Sequence, residues 1–336
     1  MNDPNILQVL AALANRQQRV EILQRTAAKA TRGAQLRPWA MGVKPRLIDP
    51  ASSLATDDDG FMTDYAGDMV SGTAAFPIFN AIDSLTAIAE LIDGRDDSAE
   101  RKGSGDHHAS SILTLTRMAA ESAATTIWLL SSSDRAMRRS LSVRFTASEL
   151  NAQRAFHSHT RKWFEKNPGE KRSVAYREFL EHVRLFDERV NMLELGMQQT
   201  PGAKVKGSGD VVAAAAKWLD QHPPQHDPSD LYGNAIGFED VAGRFYNLNS
   251  AIVHGLKWPL DYMPNGEIDM ARMIVEGVNI AVTMGECAVA LFEAQAQNWT
   301  AETDRPLLYP HRLQPSIEAW ADLFPIDEDV LRARAF

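Results

Sequence analysis

Apolar residues recur at three- and four-residue intervals along most of the chain, the spacing that lines one face of an α-helix. Residues 4–33 show it in Ile6, Leu10, Leu13, Val20 and Leu23, with Asp3 and Pro4 suited to the cap and first position. A second helix is predicted from about Pro77 to Ile92, ended by Gly94, and a strongly apolar one from Ser110 to Leu130. Two more follow over 134–166 and 172–198, split by "NPGEKR", and a short one over 210–221. The pattern resumes at 238–254 and again at 267–296, and a last short helix is expected near Ile317.

The pattern fails in four places. Residues 35–75 carry Pro38, Pro45, Pro50, "TDDDG" and several glycines without a period, which predicts a long loop or arm. "RDDSAERKGSGDHHAS" and "HPPQHDPSDLYGN" read as exposed loops, and the end of the chain, with Pro306, Pro310, Pro315 and Pro325, as a tail. Few windows alternate apolar and polar residues, and no short repeat is visible. The expectation is an all-α protein: an N-terminal helix and arm over 1–75, one bundle of six to eight helices over 76–300, and a tail over 301–336.

Composition narrows the function classes. With 44% hydrophobic and 24% charged residues, the 336-residue chain can build a sizeable core. A formal net charge of -9 argues against a surface coated in positive charge for duplex binding, while leaving room for a local basic patch. Cys287 is the single cysteine, so no internal disulfide or cysteine-based zinc site can form. "MNDPNILQVLAALANRQQRVEILQR" lacks a basic start and a small-residue cleavage site, and "VNIAVTMGECAVALF" is interrupted by Asn279, Thr283 and Glu286. A cytoplasmic protein without a membrane span is expected.

The segment "FYNLNSAIVHGLKW" carries the leading candidate chemistry. On a wheel at about 100° per residue, Val241, Phe245, Leu248 and Ile252 make the apolar arc. Asp240, Arg244, Asn247 and His254 fall on the arc beside it. Two roles compete for His254. A histidine in the last turn followed by Gly255 suits a helix end; the same imidazole could serve as general acid/base, with Arg244 holding an anionic group.

A helical bundle whose helix ends in "VHG" after a polar residue resembles the HEPN-type proteins, and also helical bacterial proteins with a tyrosine-to-VHG segment. The resemblance covers about residues 110–295. It implies a dimeric, metal-independent RNase or RNA-binding protein of a toxin or defence setting, with an arginine five to seven positions before the histidine. Here Asn249 stands five before His254, and the nearest upstream arginine is Arg244. Ten residues of helix separate Cα atoms by about 15 Å, so Arg244 and His254 would act on different phosphates or meet only through long reach. Under the resemblance His254 is the acid/base, Arg244 or Arg117 stabilises the phosphorane and Asn247 orients the attacking group.

Other constellations carry their own pair of readings. Arg117 and Glu121, four apart in "LTLTRMAAESAATTIWLL", are either a core-facing ion pair or part of a site with His254. Arg135, Arg139, Arg154 and Arg161, interleaved with Phe156 and Trp163, are either a solvated face or a track for an RNA backbone. The histidines show no HExxH spacing, and Glu178 with His182 lacks the companion motifs of a di-iron bundle, so neither a metal nor another cofactor is expected. "KGSGD", at 102–106 and 206–210, reads as two linkers. In the last helix Arg272, Glu276, Asn279, Thr283 and Glu286 make a polar stripe, and Gly277 and Gly285 would permit close approach at a dimer contact. Two functions therefore stand: an RNA-binding or RNA-cleaving protein, or a noncatalytic scaffold that forms a homodimer or binds a protein partner through the 35–75 arm and the last helix.

Overall fold

The computed structural model describes residues 26–42, 48–93, 109–226, 237–299 and 305–326, with a few positions before residue 26. The described residues are all-α, without a strand. Ten helices are bounded: α1 Arg37–Met41, α2 Ser53–Asp58, α3 Met69–Asp93, α4 Ala109–Leu130, α5 Arg135–Lys166, α6 Val174–Gln198, α7 Ser208–Gln221, α8 Phe238–Val253, α9 Glu267–Ala296 and α10 Gln314–Ala321. Three short 3₁₀ turns lie at Pro168–Arg172, Trp258–Tyr262 and His311–Leu313. Most of residues 4–25, the loop at 94–108 with His107, His108 and the first "KGSGD", and the end of the "HPPQHDPSDLYGN" loop lie outside the described residues.

At the centre α4 packs between α3 and α9, with α7 and α8 on its other side and α10 against α9. From Ile280 to Ala296 every residue of α9 is buried. Both α3 and α9 are long and apolar enough to cross a membrane by length and composition, but 83% of the apolar window of α9 and 50% of that of α3 face the interior of this bundle. Gly277 and Gly285 are interior as well: a Cβ on Gly277 would meet Phe245 at 2.8 Å, and one on Gly285 would meet Leu85 at 2.7 Å. Their small size serves helix packing within one chain, not the dimer contact expected from spacing.

The greatest departure from the sequence pattern is the arm. Residues 26–34 are helical and α1 and α2 follow, with Leu36, Trp39, Leu54 and Phe61 all buried in the common core. Periodicity is blind to such short helices, whose apolar residues are too few to show a period. Ser52 caps α2 by accepting from the Ala55 N–H at 3.1 Å. At the far end of α2, Asp58 accepts from the Val70 N–H at 2.7 Å and from the Ser71 backbone and hydroxyl, so it caps α3 from outside. That cap explains why α3 begins at Met69, eight residues before the predicted start, and carries Pro77 in its interior.

Buried charges fasten both ends of the chain to the bundle. Glu286, fully buried, receives Arg32 at 2.7 and 2.8 Å, Arg312 at 2.7 and 3.0 Å, and faces the His226 ring at 3.4 Å. Burial alone would raise this carboxyl; hydrogen bonds from His226 and Arg32 and the Arg32 charge outweigh it and hold it at about 2. One turn pair along, Glu293 accepts from the Trp39 indole at 2.8 Å and from Arg305 at 2.9 Å. Glu286, placed by the wheel in a solvated stripe, thus lies under the arm and the tail.

Candidate functional site

α8 is held at its start by Asp220 of α7, whose carboxylate accepts from the Phe238 and Glu239 N–H groups at 2.9 Å. It ends in a Schellman arrangement. Gly255 N–H donates to Ile252 O and Leu256 N–H to Ala251 O, both at 2.9 Å, with Gly255 at φ +67°. His254 is the capping residue between them, and its side chain is exposed.

The remaining candidates of this helix point to separate neighbours. Arg244, with 73% of its side chain exposed, pairs with Glu276 of α9 at 2.7 Å. Asn247 donates to the Gly243 carbonyl one turn back at 3.1 Å. Asn249 is buried and donates to Leu113 O at 2.6 Å and to Thr116 Oγ1 at 3.3 Å, tying α8 to α4. Arg117 is bonded to Glu121 and to the Tyr246 hydroxyl, each at 3.2 Å, and its guanidinium lies 5.0 Å from the centre of the Tyr246 ring. Burial and the Glu121 carboxylate push the Tyr246 hydroxyl up. The structure therefore brings Arg117, Glu121 and Tyr246 together. It leaves Arg244 with Glu276, and among the described residues no side chain hydrogen-bonds the His254 ring.

The basic stripe also divides. Arg135 and Arg139 turn inward, donating to the backbone carbonyls of Thr56, Asp57 and Asp59. Arg138, absent from the stripe by its spacing, is buried and grips Asp57, with Nη2 to Oδ1 at 2.8 Å. Desolvation raises the Asp57 carboxyl, and the hydrogen bond and charge of Arg138 oppose it. Only Arg154 and Arg161 remain on the far part of α5.

That far part is a hairpin. α6 packs on α5 and on the turn Pro168–Arg172 that joins them. Their shared seam consists of His157, Phe164, Phe186 and Leu193, with the His157 ring edge-on to Phe186 at 4.6 Å and to His182 at 5.1 Å. Burial first, then the His182 ring, lowers the His157 imidazole below its ordinary value. Outside the seam, Phe156 is 66%, Trp163 52%, Val174 58% and Leu185 44% exposed. Phe156 and Trp163 stand two turns apart on one flank of α5, and Val174, Leu185 and Met192 share a flank of α6. Because the two helices are antiparallel, both flanks lie on the same side of the hairpin.

Among the described residues no group of three His, Cys, Asp or Glu is placed to hold a metal ion. Comparison with protein-family models, with curated proteins and with solved structures gave no match, so the functional reading rests on the geometry of this chain.

Proposed function

We propose that the protein is a noncatalytic helical scaffold that forms a homodimer through the α5–α6 hairpin. The observation that carries this reading is the exposed stripe of Phe156, Trp163, Val174 and Leu185 on one side of a hairpin that has only one packed seam. Two antiparallel helices expose half of a bundle; a second pair completes the usual four-helix arrangement. The apolar side chains of two such stripes, together with Met192 and Leu195, would remove roughly 900 Å² from water, and their polar margins would bring the total to the lower range of specific interfaces. A two-fold axis parallel to the helices lays α5 on the partner's α6.

The arrangement around His254 favours this reading over an RNase of the HEPN kind. Among the described residues no arginine bonds the His254 ring, and Arg117 and Arg244 are engaged with Glu121, Tyr246 and Glu276, so neither is positioned beside it to stabilise a phosphorane. Light scattering on the eluting protein tests the proposal. Wild type should run at twice 37.2 kDa, and the double variant Phe156→Glu, Leu185→Glu as a folded monomer. A wild type that stays monomeric at tens of micromolar would overturn dimerisation. Metal-free cleavage of an RNA pool that disappears in His254→Ala would overturn the noncatalytic reading.

A further inference from the structure

The opposite side of the same hairpin carries a cleft of about 310 Å³ between α5, α6 and the extended segment Ala203–Val205. Its floor is apolar, built from Leu150, Val190, Leu193 and Met197, and Val205 closes one wall. Leu193 is only 1% exposed, so the floor is continuous with the hairpin seam. Arg144 and Arg154 stand at its two ends, ten residues or about 15 Å apart along α5.

The two arginines differ in how they are held. Arg144 is immobilised: Nε donates to Ser140 Oγ, and Nη2 to the carbonyls of Met197 and Pro201, all at 3.1 Å. These three acceptors are neutral, and among the described residues Arg144 has no carboxylate partner and Nη1 has no acceptor. A fixed, uncompensated guanidinium beside an apolar floor is a preorganised site for an anion with a hydrocarbon body. Arg154, which is exposed, gives one bond to Asn151 Oδ1 at 3.3 Å and lies 5.8 Å over the Phe186 ring. Glu194 on the rim disfavours ligands of high negative charge.

We infer that this cleft binds a small organic monoanion, a linear or aromatic acid whose charged head meets Arg144 and whose apolar body lies on Leu150, Leu193 and Met197. The cleft volume, at the lower end for small-molecule sites, limits the body to a medium-length chain or one ring. The site is on the face away from the proposed dimer stripe, so ligand binding and dimerisation stand or fall separately.

The test is a titration of the full chain by isothermal calorimetry and by NMR of its methyl groups, with octanoate, octyl phosphate and octanol as probes. Octanoate should bind saturably at millimolar concentration or below and shift the Leu150, Leu193 and Met197 methyls, with octanol at least tenfold weaker. Octanoate should outcompete octyl phosphate, which carries about two negative charges at neutral pH; the reverse order would overturn the monoanion assignment. Val205→Trp, which fills the cleft from its loop wall without touching the seam, should abolish binding. Arg144→Gln should weaken octanoate at least tenfold and leave octanol unchanged. Equal affinity for octanol and octanoate, no saturable binding of either anion, or octanoate binding that persists in Val205→Trp would each overturn the inference.

Discussion

The bundle around α9 and the α5–α6 hairpin solve the same packing problem in opposite ways. In the bundle, α9 is buried on all sides from Ile280 to Ala296 and carries Glu286 and Glu293 inward, each met by arginines from other segments of the chain. In the hairpin, one narrow aromatic seam is buried and the charges face water, as in the exposed Glu181–Arg184–Glu188 network. The first arrangement makes the ends of the chain depend on the core, because each carboxylate is costly to bury without its partners. The second leaves a helix pair of modest independent stability with two accessible faces, which is where a ligand or a second copy can act.

Removing one buried carboxylate should cost most. Glu286→Ala leaves Arg32, Arg312 and His226 facing an empty position, and a loss of about 3–5 kcal/mol is expected in chemical denaturation. Asp57→Ala should behave alike through the buried Arg138. A loss under 1 kcal/mol in both would mean that these clusters do not fasten the arm.

Phe186→Ala should cost about 3 kcal/mol locally, by opening a cavity in the seam. Its effect should appear in hydrogen exchange as faster opening of α5 beyond Leu150 and of α6, while α3, α4 and α9 keep their protection. Uniform loss of protection would show that hairpin and bundle unfold as one unit.

The two regions should also part on acidification. The His157 imidazole is lowered in the fold, so the unfolded hairpin binds the proton first and stability falls as pH drops below about 6.5. The Glu286 carboxyl is held at about 2, so its contribution is complete above its ordinary value near 4.5 and is lost only as pH falls from there toward 2. Separate NMR signals from the two regions should show the hairpin responding first, and His157→Phe should remove its acid step. A bundle that loosens before the hairpin would contradict the assignment of both groups.

The smallest effects are expected at the end of α8. His254→Ala should change stability by no more than about 0.5 kcal/mol, since the exposed ring has no partner among the described residues. Gly255→Ala should cost about 1 kcal/mol, because φ +67° suits glycine and not an L side chain. Reversal of that order would give the imidazole a structural role that its surroundings do not show.

Some of this was legible in the residues alone. The limits of the two hairpin helices, expected at 134–166 and 172–198, fall at Arg135–Lys166 and Val174–Gln198, because Asp134 and Ser173 cap them locally, accepting from Ala136 N–H at 2.9 Å and Tyr176 N–H at 3.1 Å. The helix end at His254 and Gly255 was equally readable, since a glycine after the last apolar residue terminates a helix by its own conformation. So was the ion pair of Arg117 with Glu121, four residues apart on one helix.

Sequence by itself thus determined the helical class, the long helices and the local caps, all of which depend on residues within a turn or two of each other. Tertiary structure alone decided which polar residues are interior. Glu286 meets Arg32 from 254 positions away, and Arg138 meets Asp57 across 81. A wheel that sees one helix places such carboxylates in water; only the other segments, arriving with their arginines, make burial affordable. The cleft beside Arg144 has the same origin, because its floor comes from two helices, its wall from a loop, and its charge from one of those helices.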